Sequence, residues 1–258
     1  MVYMSNNFKI SVSPRTTRFV LIDYDNVRAH QASSMGPLQT IVTHVINRLM
    51  RDADFLTGIK SGERIKTRLY GGWFEECRVT RLAQDIYTEI GQSFPVHLKT
   101  RDGVPFDVDC ERADRMLSRP NEALYCTYRE DDLDSKVKVR QKYCCEKNRT
   151  ISEYVKAACE IPRQCPSCKS TWSKPFFIAR VQKMVDAMIF CDLGFLLRDK
   201  DNMVALVSSD ADMLPVLFQS EADQRNVYYL RDMNGYDAGF YTRYHSRLLG
   251  QYCRTLTW

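Results

Sequence analysis

The chain has 258 residues, of which 44% are hydrophobic and 27% are charged. That balance supports a packed core in one large domain, or in one domain with an insertion, and argues against wholesale disorder. The formal net charge of +5 permits a polyanionic partner such as nucleic acid but does not require one.

No stretch of the sequence approaches the ~20 apolar residues of a membrane-spanning helix, and the first residues lack the apolar core of a signal peptide. We therefore expect a cytoplasmic protein with no membrane partner. In that reducing compartment, we expect isolated cysteines to be small, buried hydrophobic residues. The isolated cysteines are Cys77, Cys110, Cys126, Cys191 and Cys253.

In the first half of the chain, strand and helix patterns alternate. A continuous apolar run predicts a buried strand at Arg18–Asp23, and apolar residues at helical spacing predict a helix over residues 37–52. Residues 65–70 alternate like a strand and stop at a Gly-Gly pair. A helix over residues 76–90 and a strand over residues 95–99 complete this half.

The second half begins with a change of character. Residues 125–173 are rich in charge and cysteine and show poor hydrophobic periodicity, which indicates an insertion. The alternation then resumes, with helices predicted over residues 176–196, 214–219 and 236–249 and strands over residues 203–207 and 227–230. This order predicts an α/β fold in which a parallel sheet carries helices on both faces.

Acidic residues follow two of the predicted strands. The first strand ends in Asp23 and is followed by Asp25, and the strand over residues 203–207 is followed by Asp210 and Asp212. In an extended turn, residues two apart point to one side, and ligands bind outside the carboxyl ends of parallel strands. Crowded carboxylates suit Mg²⁺ or Mn²⁺, which can activate water and stabilise charge on a phosphoryl oxygen. Each Asp could instead simply cap the helix that follows it.

Four blocks follow one another between residues 19 and 215. They are Phe19-Val-Leu-Ile-Asp-Tyr-Asp-Asn26, Arg68-Leu-Tyr-Gly-Gly-Trp73, Lys183-Met-Val-Asp186 with Asp192 after it, and Val207-Ser-Ser-Asp-Ala-Asp-Met-Leu-Pro215. In this order they resemble the motifs of the NYN domains, a branch of the PIN-like nucleases. The resemblance departs from the family pattern at Met184 and Ser209, where the family has glycine, and at Met213, where it has phenylalanine.

The resemblance implies a three-layer, Rossmann-like domain over residues 15–258 and metal-dependent endoribonuclease activity on RNA. It implies that Asp23, Asp186 and Asp210 bind Mg²⁺ or Mn²⁺, with Asp212 beside them. Asn26 would orient Asp23 or a phosphate, and Ser208 would support a water molecule on the metal ion. Asp192 would be a more distant or structural acid. Besides RNA, a second copy of the same chain remains open as a partner, which would make the protein a homo-oligomer.

The cysteine-rich insertion contains Cys165-Pro-Ser-Cys168, whose spacing lets two thiolates reach one tetrahedral Zn²⁺. Two further ligands would come from Cys145, or Cys144 in its place, and from Cys159. Reduced buried thiols and a redox pair remain as alternatives. The basic residues of this segment could grip a phosphate backbone or simply form a solvated face. They are Lys136, Lys138, Arg140, Lys142, Lys147, Arg149, Lys169 and Lys174.

Other functions remain open beside the nuclease. Asp23-Tyr-Asp-Asn-Val27 also fits the opening of haloacid dehalogenase-like phosphatases, in which the first Asp is a nucleophile and the second an acid or base. A non-catalytic RNA-binding module with the same fold is a third hypothesis. Trp73 and Phe74 could stack on an unpaired base, although core packing is the commoner role of large aromatic residues.

Overall fold

The computed structural model describes residues 16–30, 37–52, 54–75, 77–124, 128–131, 138–139, 177–182, 184–231 and 252–257. Within them the chain forms an α/β fold around a seven-stranded sheet. The predicted helix over residues 236–249 and the five cysteines proposed for zinc lie outside the described residues. None of the helices in the described part is long and apolar enough to cross a bilayer.

The central sheet has the strand order β12-β11-β10-β1-β2-β6-β5. All neighbours are parallel except β5, which pairs with β6 in the antiparallel direction. The strands are β1 Arg18–Asp23, β2 Arg64–Tyr70, β5 Val96–Lys99, β6 Pro105–Arg112, β10 Met203–Val207, β11 Val227–Arg231 and β12 Cys253–Thr257. The mostly parallel sheet is thus confirmed, whereas β6 and β12 were not predicted.

Helices cover both faces of the sheet. The helices are α1 Tyr24–His30, α2 Leu38–Asp52, α3 Arg81–Ser93, α4 Val185–Leu196 and α5 Leu214–Ala222. Side chains alternate along β1, so Val20 and Ile22 pack in one apolar cluster with α2 and α3. Phe19 and Leu21 pack in the other cluster with α4 and α5. The two-sided burial explains why β1 is a continuous apolar run.

The helix predicted from residue 76 begins later, at Arg81. A short hairpin precedes it, formed by β3 Phe74–Glu75 and β4 Arg78–Val79. Cys77, in this hairpin, has a positive φ of 64°, and a helix cannot pass through such a residue. The Thr80 hydroxyl then accepts a hydrogen bond of 3.2 Å from the Ala83 N–H, which caps the first turn of α3.

The helix predicted over residues 176–196 is also shorter than expected. Its first part is a strand, β9 Phe177–Gln182, and the helix begins only at Val185. Met184 separates the two elements because its φ of 66° is incompatible with a right-handed helix. With β7 Tyr128–Asp131, β8 Lys138–Val139 and the β3–β4 hairpin, β9 forms a second sheet of order β4-β3-β7-β9-β8.

Candidate metal centre

The carboxyl ends of β1 and β10 lie side by side in the central sheet. Ile22 of β1 pairs with Val207 of β10, so Asp23 and Ser208 follow at the same edge. From β1 the chain continues to β2 on one side, and it returns later to β10 on the other. A reversal of strand order of this kind opens a crevice at the carboxyl ends, where α/β proteins bind ligands.

Asp23 is held at this edge by hydrogen bonds to both of its carboxylate oxygens. The Ser208 hydroxyl donates to Oδ2 at 2.9 Å, and the Asn26 backbone N–H donates to Oδ1 at 3.2 Å. Only 3% of Asp23 is exposed. Burial raises the pKa of Asp23 to about 6, against the lowering effect of these two hydrogen bonds, and the charge of Asp186 adds to the rise. The environment therefore disfavours the charged form of this acid.

Three other carboxylates converge beside Asp23. Asp186 stands in the first turn of α4, and Asp210 and Asp212 follow β10. One oxygen from each of these three residues lies within 4.8 Å of the others. Burial raises the pKa of Asp186, and the charges of Asp210 and Asp212 raise it further. Three hard oxygen donors that repel one another fit a divalent cation such as Mg²⁺ or Mn²⁺.

The membership of this group differs from the set expected from the sequence. Asp186 and Asp210 come together as expected, but the third member is Asp212 rather than Asp23. Asp23 is connected to Asp210 of this group through Ser208. The Ser208 oxygen accepts from the Asp210 N–H at 3.1 Å while its hydroxyl donates to Asp23, and Asn26 Nδ2 lies 3.5 Å from the same oxygen.

The capping role considered for these acids also occurs here. The side chain of Asp210 accepts a hydrogen bond of 2.9 Å from the Asp212 N–H, which caps the short 3-10 helix Ala211–Met213. Tyr229, on the neighbouring strand β11, donates its hydroxyl to the Asp210 carbonyl at 3.3 Å. Two hydrogen bonds therefore hold this turn in place. The contribution of Tyr229 was not predicted from the sequence.

The sequence predicts that Asp25 points to the same side as Asp23. The structure differs from this prediction. The chain turns into α1 at Tyr24, so the two acids are not separated by an extended turn. Asp25 Oδ2 instead accepts a hydrogen bond of 2.7 Å from the Gly72 N–H. This contact ties the beginning of α1 to the Gly-Gly turn after β2.

Trp73 and Phe74, which follow that turn, are core residues in this structure. Trp73 is 0% exposed and Phe74 is 4% exposed, so neither ring is available to an unpaired base. The Trp73 ring lies 6.0 Å from the ring of Tyr24. A Cβ at Gly71 would come within 2.9 Å of the indole, which explains a glycine at this position.

Asp192 lies away from the carboxylate group, in a separate buried network. It is 0% exposed and accepts hydrogen bonds from the Tyr70 hydroxyl at 2.8 Å and the Leu117 N–H at 2.6 Å. The Arg68 guanidinium lies 3.3 Å from it. Burial raises the pKa of Asp192, while Arg68, Leu117 and Tyr70 act in the opposite direction. These contacts make Asp192 a structural acid that joins α4 to β2.

Replacing Ser208 by Ala is expected to lower the free energy of unfolding by about 1–3 kcal/mol, because Asp23 and the Asp210 N–H each lose a buried partner. Urea denaturation followed by circular dichroism measures the change. The control is Ser220→Ala, since Ser220 is equally buried but donates only within its own helix, to the Val216 carbonyl at 2.7 Å. If both variants lost the same free energy of unfolding, the hydrogen bond from Ser208 to Asp23 would contribute no more than an ordinary bond within a helix.

Comparison with known proteins gave no match to this chain from any family model, curated protein or solved structure. Its function therefore has to be inferred from the geometry of Asp186, Asp210 and Asp212, from the neighbours Asp23 and Ser208, and from the order of motifs in the sequence.

Proposed function

We propose that this chain is a metal-dependent endoribonuclease of the NYN type, which hydrolyses RNA phosphodiester bonds at the carboxyl edge of the central sheet. One observation carries the proposal: carboxylate oxygens of Asp186, Asp210 and Asp212, from separate parts of the chain, lie within 4.8 Å of one another. They follow the carboxyl ends of the adjacent strands β1 and β10 or lie close to them, which is where open α/β sheets bind ligands.

In the proposed mechanism, Asp186, Asp210 and Asp212 would hold one Mg²⁺ or Mn²⁺ ion. Such an ion, when bound, lowers the pKa of water and neutralises charge that develops on a phosphoryl oxygen. The contribution of the chain is positioning. Ser208 links the Asp210 backbone to Asp23, so the acids keep their places despite mutual repulsion.

The phosphatase alternative is less well supported by the surroundings of Asp23. A nucleophilic carboxylate needs an oxygen that can reach the phosphorus atom. Asp23 is 3% exposed and both of its oxygens already accept hydrogen bonds. Asp25, the acid or base of that mechanism, accepts from the Gly72 N–H.

A cytoplasmic location forms part of the proposal. Cys110, Cys191 and Cys253 form no disulfide bonds in the described part of the chain. Reduced cysteines are the normal state in a reducing compartment, where RNA substrates are also present.

Wild-type protein is expected to cut single-stranded RNA in Mg²⁺ or Mn²⁺ and to stop when EDTA is added. Gel analysis of an end-labelled RNA measures cutting, and para-nitrophenyl phosphate in a parallel reaction tests the phosphatase. Titration calorimetry with Mn²⁺ tests the non-catalytic module. Hydrolysis of para-nitrophenyl phosphate without RNA cutting would contradict the nuclease and support the phosphatase. Absence of Mn²⁺ binding would support the non-catalytic module.

A further inference from the structure

Tyr87 exposes far more of its side chain than any other large hydrophobic residue in the described ranges. It is 69% exposed, whereas Met184, Val79 and Phe195 are 38–41% exposed. Tyr87 lies on the outer surface of α3, and a Cβ at Gly91, one turn later, would meet no atom within 4 Å. The helix surface next to Tyr87 is therefore not covered at Gly91 by the described part of the chain.

The Tyr87 ring stands beside a fixed cation. The Arg112 guanidinium lies 5.9 Å from the centre of the Tyr87 ring and 5.5 Å from that of the buried Phe74 ring. Arg112 Nη1 donates to the Ala83 carbonyl at 3.0 Å, and Nη2 lies 3.5 Å from Asp114. Arg112 is held by α3, by β3 and by the loop after β6. A ring packed against so firm a support loses little entropy when a ligand stacks on it.

Arg112 lies at the same edge of the sheet as the carboxylate group. It ends β6 and pairs with Leu69, which pairs with Ile22, which in turn pairs with Val207 just before Ser208. Three strand spacings separate β6 from β10, which is about 14 Å. Tyr87 stands on the outer surface of α3, so a strand at ~3.4 Å per nucleotide has to extend over at least several nucleotides to reach both places.

We propose that Tyr87, supported by Arg112, is a stacking platform for an unpaired base of the RNA substrate, several nucleotides from the bond that is cut. Aromatic rings bind single-stranded nucleic acid in this way, because every base has a face that can stack. Arg78 in β4 and Arg81 at the start of α3 are both exposed, and they can pair with the phosphates of the same strand. The side chain of Arg81 is 93% exposed, although its guanidinium also lies 4.0 Å from the carboxylate of Asp85. This inference rests on the proposed nuclease function.

The test measures binding of a short fluorescein-labelled oligouridine to the full chain by fluorescence anisotropy, in EDTA and at fixed salt. EDTA stops metal-dependent cutting, so binding is read without catalysis. The variants are Tyr87→Ala and Tyr87→Phe, the second of which keeps the ring. The matched control is Phe195→Ala. Phe195 also lies beside an arginine, with the Arg198 guanidinium 5.7 Å from its ring centre, but it stands at the end of α4 whereas Asp186 stands in the first turn.

Tyr87→Ala is expected to weaken binding about tenfold, near the lower end of the range for loss of one base–aromatic stack. Tyr87→Phe and Phe195→Ala should bind like wild type, and an RNA duplex should bind all four proteins alike because its bases are not available. Equal binding by Tyr87→Ala and wild type, or no binding by wild type, would overturn the platform. RNA cutting in Mn²⁺, assayed in parallel, reports separately on the nuclease proposal.

Discussion

Replacing Asp210 or Asp186 by Asn is expected to lower the rate of RNA cutting at least about a hundredfold, since one ligand of a catalytic metal contributes several kcal/mol to the transition state. Asparagine keeps the size of the side chain. In Asp210→Asn it also keeps the oxygen that accepts the Asp212 N–H and caps the 3-10 helix. The fold should therefore survive the loss of charge.

Thermal unfolding separates lost chemistry from lost structure in these variants. Without divalent ions each variant should be at least as stable as wild type, because one repulsive charge is gone from the group. With Mn²⁺ at a hundred times its dissociation constant, wild type should gain about 2.7 kcal/mol and the variants less. Asp102→Asn, an exposed acid in a distant turn, is the control. Undiminished cutting by both Asp210→Asn and Asp186→Asn would remove the basis of the nuclease proposal.

Asp192→Ala is expected to lower the free energy of unfolding by about 3–5 kcal/mol, the usual cost of leaving one partner of a buried ion pair alone. The Arg68 side chain is only 6% exposed, and the substitution removes its buried partner. The Tyr70 hydroxyl and the Leu117 N–H lose their acceptor in the same step.

Two further variants show whether burial causes this loss. Asp192→Asn keeps an acceptor oxygen and should cost less than Asp192→Ala. Glu111→Gln removes the other acid that contacts Arg68, but 57% of the Glu111 side chain is exposed, so the loss should stay below about 1 kcal/mol. Urea denaturation of the variants gives the comparison. If Asp192→Ala cost no more than Glu111→Gln, the buried network would not be a main support of the fold.

The central strands were predictable because a strand buried on both faces needs an uninterrupted run of apolar residues, as in β1 and β10. The missed strand β6 carries a different signal. Phe106, Val108 and Cys110 face one apolar cluster, while Asp107 and Asp109 point away from it. This alternation has the period of a strand with one solvated face and could have identified β6.

The candidate site was predictable only in part, because the sequence shows where strands end but not where side chains point. The sequence indicates which acids reach the edge of the sheet, but side-chain direction decides which of them meet. Asp23 turns to Ser208, whereas Asp212 turns to Asp186 and Asp210. The positive φ of Met184, which sets the start of α4 and the position of Asp186, has no signal in residue type, since methionine rarely adopts it.

The order of the strands has a consequence for the growing polypeptide. β1 lies in the middle of the sheet, but its neighbour β10 is synthesised much later, and the hydrogen bond from Ser208 to Asp23 spans 185 residues. Contacts so distant in sequence form slowly. Until β10 leaves the ribosome, one edge of the apolar strand β1 has unpaired backbone N–H and C=O groups, which is a hazard for aggregation. Products truncated before Met203 should therefore be insoluble.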